Sequence, residues 1–165
     1  MNFLDFKLNI SFLTEFNRSE CDGTNLLVLI PSSPTNLQKR NEIRETLFQD
    51  QDNGTLIKFV IGQSLDPEIN AKLISENKMF DDLILADFVD SYRNLSIKTF
   101  SILVLKHFYC PNTQHLLTMD DDVIVDFDRL RHWISTIWES GIQSKFLACD
   151  ILRSTRIYRI PGHRW

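Results

Sequence analysis

Asp120, Asp121 and Asp122 stand in a row between two apolar runs, QHLLTM over Gln114 to Met119 and Val123-Ile124-Val125. Adjacent carboxylates repel one another and resist leaving water, so beside an apolar strand they need water, basic groups or a hard cation to meet them. Oxygen ligands of this kind suit Mg²⁺ or Mn²⁺, ions that commonly bridge to substrate phosphates. The plain alternative is a solvated turn after a strand. The apolar flanks weigh against it, because carboxylates mounted on core strands are how a metal site is kept in geometry.

Two basic clusters are candidate phosphate partners: Lys39, Arg40 and Arg44 on one expected helix, and Arg93 with Lys98 around another. Arg40 and Arg44 lie four apart and so share a face. Both clusters also fit a solvated helix face, since surface charges often need no explanation. The segment from Asp87 to Ser96, DFVDSYRNLS, reads as a polar loop interleaved with aromatics. Such loops at strand ends are often functional, and Asn94 can also cap the helix that follows.

Several chemistries are excluded. There are five Gly, none in G-x-G-x-x-G or G-x-x-x-x-G-K-[ST] spacing, so dinucleotide and P-loop readings fall. The three Cys and four His show no paired short spacing, which removes a zinc cluster. An EF-hand fails because the sixth position of the acidic segment is Val125 and a strand precedes it. Net charge −4 supplies no basic field for nucleic acid or an anionic membrane. An aspartate-nucleophile phosphohydrolase, with Asp120 attacking and Asp122 as acid, stays as the less favoured alternative, because such enzymes usually place their D-x-D after the first strand and here it follows about the fourth.

The elements that must position these groups alternate. With 165 residues, 43% apolar and 24% charged, the chain can build one globular domain with a sizeable core. Residues 1–25 show no clear period and read as a stem or linker. LLVLI (Leu26 to Ile30) is a strand stopped by Pro31-Ser32-Ser33-Pro34, and Thr35 or Asn36 can cap a helix from Leu37 to Phe48. Further strands are expected at Leu56 to Gly62, Leu83 to Ala86, His115 to Met119 and Phe146 to Ile151. Between them lie helices at Pro67 to Asn77, Leu95 to Tyr109 and Phe127 to Trp138. The third helix carries Leu95, Thr99, Ile102, Leu103 and Lys106 along one broad side. This order implies an α/β fold with a mainly parallel sheet covered on both faces. Ligands of such sheets bind beyond the carboxyl ends of the strands, where the triplet lies.

Cys21, Cys110 and Cys149 are too few for a disulfide framework, and their odd number leaves at least one free or externally paired. Four N-x-[ST] sequons, at Asn9, Asn17, Asn53 and Asn94, fit a lumenal protein. No apolar run reaches the roughly 18 residues of a membrane span, and no signal peptide is visible.

Four segments together resemble the β-1,3-galactosyltransferase and β-1,3-N-acetylglucosaminyltransferase family of inverting GT-A hexosyltransferases. They are LLVLIPSSP (Leu26 to Pro34), R-x-x-I-R-x-T (Arg40, Ile43, Arg44, Thr46), DFVDSYRNLSIKT (Asp87 to Thr99) and MDDDVIVD (Met119 to Asp126). The resemblance implies a GT-A-like, Rossmann-like sheet flanked by helices and incomplete at its C-terminus, with residues 26–165 the donor-binding part. It implies a UDP-sugar held with Mn²⁺, Asp122 as metal ligand, and Asp120, Asp121, Arg40, Arg44 and Lys98 as nucleotide-sugar contacts. The acceptor is then a glycan on a glycoprotein or glycolipid, joined in β-1,3 linkage, and the site of action the lumenal side of the Golgi membrane. The family's membrane anchor is not visible in this chain. Leu47 stands where the family usually has Trp.

An inverting transferase also needs a base for the acceptor hydroxyl. The family's base lies in an acidic motif well after the triplet. After Asp128 only Glu139 and Asp150 are carboxylates, and neither lies in a segment resembling that motif. The catalytic base is therefore unassigned, and the expectation is donor binding with weak or no transfer, or a non-catalytic paralogue.

Overall fold

The computed structural model describes residues 10–49, 52–138 and 148. Four strands form its sheet: β1 (Leu26–Pro31), β2 (Thr55–Gln63), β3 (Leu83–Val89) and β4 (His115–Thr118). The helices between them are α1 (Leu37–Thr46), α2 (Pro67–Phe80) and α3 (Leu95–Val104), and α4 (Phe127–Trp133) follows β4. All pairings within this sheet are parallel, in the order β3-β2-β1-β4. The expected α/β architecture is thus present, while the strand expected over Phe146 to Ile151 lies outside the described residues.

The strand order sets where a ligand can enter. The chain winds outward from β1 through β2 to β3, then returns across the sheet to place β4 on the other side of β1. A crevice opens beyond the carboxyl ends of the two strands at such a reversal, because their following loops diverge. Those loops carry Ser32-Ser33 after β1 and Asp120 to Asp122 after β4.

Burial follows strand position. Leu27, Val28, Leu29 and Ile30 of β1 are fully buried, as are Phe59, Val60 and Ile61 of β2. The run before the triplet reads as a buried strand, but β4 is half-buried. Among the described residues it pairs on one side only, so it has fewer neighbours to cover it.

Between β2 and β3 the register shifts at Ile61/Gln63. A side chain on Gly62 would meet Phe88 Cε2 and the Phe88 carbonyl oxygen, each at 2.8 Å, so only glycine allows this approach. Its amide donates to Asp90 Oδ2 at 2.9 Å.

Three expectations change in detail. Asp87 to Val89 belong to β3, and Tyr92–Asn94 form a single 3₁₀ turn, so the polar loop is shorter than its composition suggests. The expected helix to Tyr109 is α-helical to Val104 and closes in a π-helical turn over Leu105–Tyr109. Its packed side is Lys98, Ser101, Ile102 and Leu105, whereas Leu95 and Leu103 face solvent. Ion pairing of Lys98 with Asp90 at 2.6 Å lets a lysine take a core position.

Residues 10–25, expected as stem or linker, pack on the sheet. Phe12 forms an antiparallel bridge with Ala86, Leu13 N donates to Leu85 O at 2.7 Å, and Phe16 and Cys21 join the core. Their apolar side chains find the cover that an irregular pattern conceals in sequence. Cys21 and Cys110 form a disulfide across 89 residues, with Cα atoms 5.4 Å apart. Cys149 lies outside the described residues.

The chain divides into two compact units, Met1–Phe127 and Asp128–Trp165. In the second, the described helix carries an Asp128–Arg131 ion pair at 2.7 Å and continues as a π-helical turn over Ile134–Trp138.

Candidate functional site

Ser32 is the hub of the contacts beyond the carboxyl ends of β1 and β4. It follows β1 directly, its amide extends the ladder to Val60 O at 3.1 Å, and its side chain is buried. Its hydroxyl donates to Asp121 Oδ2 at 2.7 Å and accepts from Arg40 Nη1 at 3.0 Å. Its carbonyl accepts from Lys98 Nζ at 2.8 Å, and the neighbouring Ser33 carbonyl accepts from Arg40 Nη1 at 2.7 Å. Three of the expected site residues, Arg40, Lys98 and Asp121, therefore meet at one serine.

The triplet splits by environment. Asp121 also accepts from Asn36 Nδ2 at 2.8 Å and pairs with Lys39 Nζ at 3.3 Å. Burial alone pushes its carboxyl up, but the hydrogen bonds from Asn36 and Ser32 and the charge of Lys39 outweigh this and hold it below the ordinary carboxylate range. Asp122 is 65% exposed and touches the same Lys39 at 3.2 Å. The Lys39 ammonium is held above the ordinary lysine value, first by its bond to Asp122 and then by the charge of Asp121. Asp120 is exposed, and its carbonyl accepts from Val123 N at 3.3 Å to make the turn.

Asn36 was expected to cap α1, a role Thr35 could equally take. It occupies the cap position but makes no side-chain cap bond; its amide goes to Asp121 instead. The helix thus gives up a cap, an interaction typically worth about 1 kcal/mol, to orient a carboxylate.

Arg40 and Arg44 lie in a buried ionic lattice. Arg40 binds Glu76 through Nε and Nη2, both at 2.7 Å, and is fully buried. Arg44 reaches Glu76 at 2.7 Å, Asp82 at 2.7 and 2.8 Å, and Asn41 at 2.7 Å, with its guanidinium 4.0 Å from the Phe80 ring centroid. Burial works against the charge on Glu76, yet the two arginines hold its carboxyl below the ordinary range. These basic groups are therefore not a solvated face. Arg44 reaches the triplet only by way of Glu76 and Arg40, and Arg93 is exposed.

Sequence reasoning missed Glu76 and took in Ser32 and Asp90 only as members of longer segments, with no role of their own. Serine between two prolines looks like loop filler. Glu76 did leave a trace: it lies three residues after Leu73, on the packed side of α2, where an acid requires a partner.

The donor set fits a hard cation held by few protein ligands. Asp120 and Asp122 offer exposed carboxylate oxygens beside a crevice, and a Mg²⁺-like ion commonly completes its shell from water and substrate phosphates. Among the described residues, no three His, Cys, Asp or Glu side chains group as a protein-only metal cage.

The chain is similar in sequence to known proteins. Residues 38–165 match the model of the Galactosyltransferase family. Beta-1,3-galactosyltransferase 1 from Mus musculus is 32% identical over 122 residues, covering 72% of this chain and 37% of that protein; the Homo sapiens protein matches to the same extent. Lactosylceramide 1,3-N-acetyl-beta-D-glucosaminyltransferase from Xenopus tropicalis is 30% identical over 133 residues, covering 73% and 35% respectively. The chain spans little more than a third of the length of these curated relatives.

Proposed function

The chain belongs to the galactosyltransferase family, and from that premise we propose that it forms the donor-binding part of a hexosyltransferase. The activity we assign is transfer of a sugar from a UDP-sugar to a glycan acceptor in β-1,3 linkage. The observation that carries this reading is the Ser32 to Asp121 contact, which ties the loop after β1 to the triplet at the sheet's reversal point.

The residues divide the work. Asp122 is the ligand for Mn²⁺, and Asp120 and Asp121 orient the nucleotide sugar. The ion, when bound, supplies Lewis-acid stabilisation of the negative charge on the departing diphosphate. Asp121 is held ionised and fixed by Ser32 and Asn36, so it meets the donor in one orientation. Arg40 and Lys98 act on the nucleotide from beneath, by locking the Ser32-Ser33 backbone into the floor of the crevice. Arg44 supports Arg40 through their shared Glu76.

We further place the protein on the lumenal side of the Golgi membrane, a reading supported by the Cys21–Cys110 disulfide, which suits an oxidising compartment. Among the described residues no helix is long and apolar enough to cross a membrane.

Calorimetric titration with UDP in the presence of Mn²⁺ tests the site. Wild type is expected to bind, and Asp122→Ala to lose the Mn²⁺-dependent part of the affinity. Equal binding by both proteins would sink the metal assignment.

A further inference from the structure

Lys39 stands where a counter-cation belongs. Its ammonium spans two carboxylates, 3.3 Å from Asp121 Oδ1 and 3.2 Å from Asp122 Oδ2, while 41% of its side chain faces solvent. The basic groups beneath it differ: Arg40 and Lys98 are buried and bonded to backbone carbonyls that cannot follow them if they turn. A compact charge on a flexible four-carbon stem can leave its partners without unpacking anything. The two carboxylates it bridges are also unequal. Asp121 keeps Ser32 and Asn36 when Lys39 leaves, whereas Asp122 is exposed and open to another cation.

We propose that Lys39 is an exchangeable counter-cation of the donor site: it neutralises Asp121 and Asp122 before the donor arrives, yields Asp122 to a divalent cation, and passes to the phosphate oxygens of the nucleoside diphosphate. The inference rests on the donor-site reading above. Its physical basis is competition for one carboxylate, since the ammonium holds Asp122 through Oδ2 and a divalent cation would need the same group. A divalent cation arriving alone must take Asp122 from the ammonium and leave it only Asp121. Arriving with a diphosphate, it leaves the ammonium a new anionic partner. Metal and nucleotide therefore bind cooperatively, with the coupling carried by one side chain.

Calorimetry on the full chain separates the terms, using Mn²⁺ alone, UDP alone and the two together, for wild type, Lys39→Met and Lys39→Arg. Removing the competing charge is expected to tighten Mn²⁺ binding alone by about tenfold in Lys39→Met and to abolish its cooperativity with UDP, while Lys39→Arg keeps both near wild type. A residue with only a structural role would not move these two quantities in opposite directions. Lys39→Met is expected to melt with wild type; should it not, Lys39→Gln supplies the same comparison. If the Met variant binds Mn²⁺ no tighter than wild type, or keeps full cooperativity, the proposal fails and the donor-site reading stands. If no protein binds Mn²⁺ with or without UDP, the metal reading fails and takes this proposal with it.

Discussion

Glu76 and Asp82 lie in a buried lattice with Arg40 and Arg44, whereas Asp120 and Asp122 lie exposed beyond the end of β4. Carboxylates and basic side chains meet in both places. In the lattice two acids face two arginines through paired hydrogen bonds, and no buried side-chain nitrogen or oxygen among the described residues lacks a partner. Beyond β4, adjacent carboxylates share Lys39. Burial enforces charge balance, because an unpaired buried ion is costly; exposure permits an excess of negative charge that a ligand can use. Ser32 joins the two regions by bonding Arg40 below and Asp121 above.

The sharpest way to break this contrast is to unbalance the lattice. Glu76→Gln leaves Arg40 and Arg44 without their shared carboxylate, and removal of one partner from a buried pair costs about 3–5 kcal/mol. Urea unfolding is expected to show that loss. A change below about 0.5 kcal/mol would mean the lattice is not a structural unit.

Ser32→Ala tests the joint between the regions. It removes a donor from Asp121 and an acceptor from Arg40, an expected loss of about 1–3 kcal/mol. UDP affinity should fall with it. Combined with Glu76→Gln, the two changes should be non-additive by about 0.5–3 kcal/mol, since they sit on one hydrogen-bond path.

Acid unfolding sharpens the comparison further. Asp121 and Glu76 both have folded-state carboxyls held below the ordinary range. The unfolded chain therefore takes up protons before the folded one does. Their stabilisation is full above the ordinary carboxylate range and is lost as pH falls through and below it. Asp121→Asn is expected to flatten that acid limb in a pH series of urea midpoints, and an unchanged slope counts against the assigned shift. Asp122→Ala closes the series with the smallest stability change, within about 0.5 kcal/mol, because its carboxylate is mostly exposed.

The elements were legible where one physical signal dominated. Continuous apolar runs marked β1 and β2, and Pro67 marked the first turn of α2. Legibility failed where a residue's role depends on a distant partner. Asn36 reads as a cap and serves Asp121, 85 positions away. Lys98 reads as a phosphate partner or a solvated charge and is instead buried against Asp90. Residues 10–25 read as linker because their few aromatic anchors follow no period, yet Phe12 and Phe16 pack against Tyr109.

By itself the sequence determined the alternation of strands and helices, the triplet at a strand's end and the family motifs, because hydrophobic period and residue chemistry are local properties. Tertiary structure alone decided which charges are paired in the interior and which are paired at the surface. Arg40 and Lys98 went inward to the Ser33 and Ser32 carbonyls, Arg44 went inward to Glu76 and Asp82, and Lys39 stayed at the surface with Asp122. That division follows from burial: desolvation makes partners obligatory, and partners are found only when the fold brings α1 beside α2, α3 beside the end of β3, and the loops after β1 and β4 together.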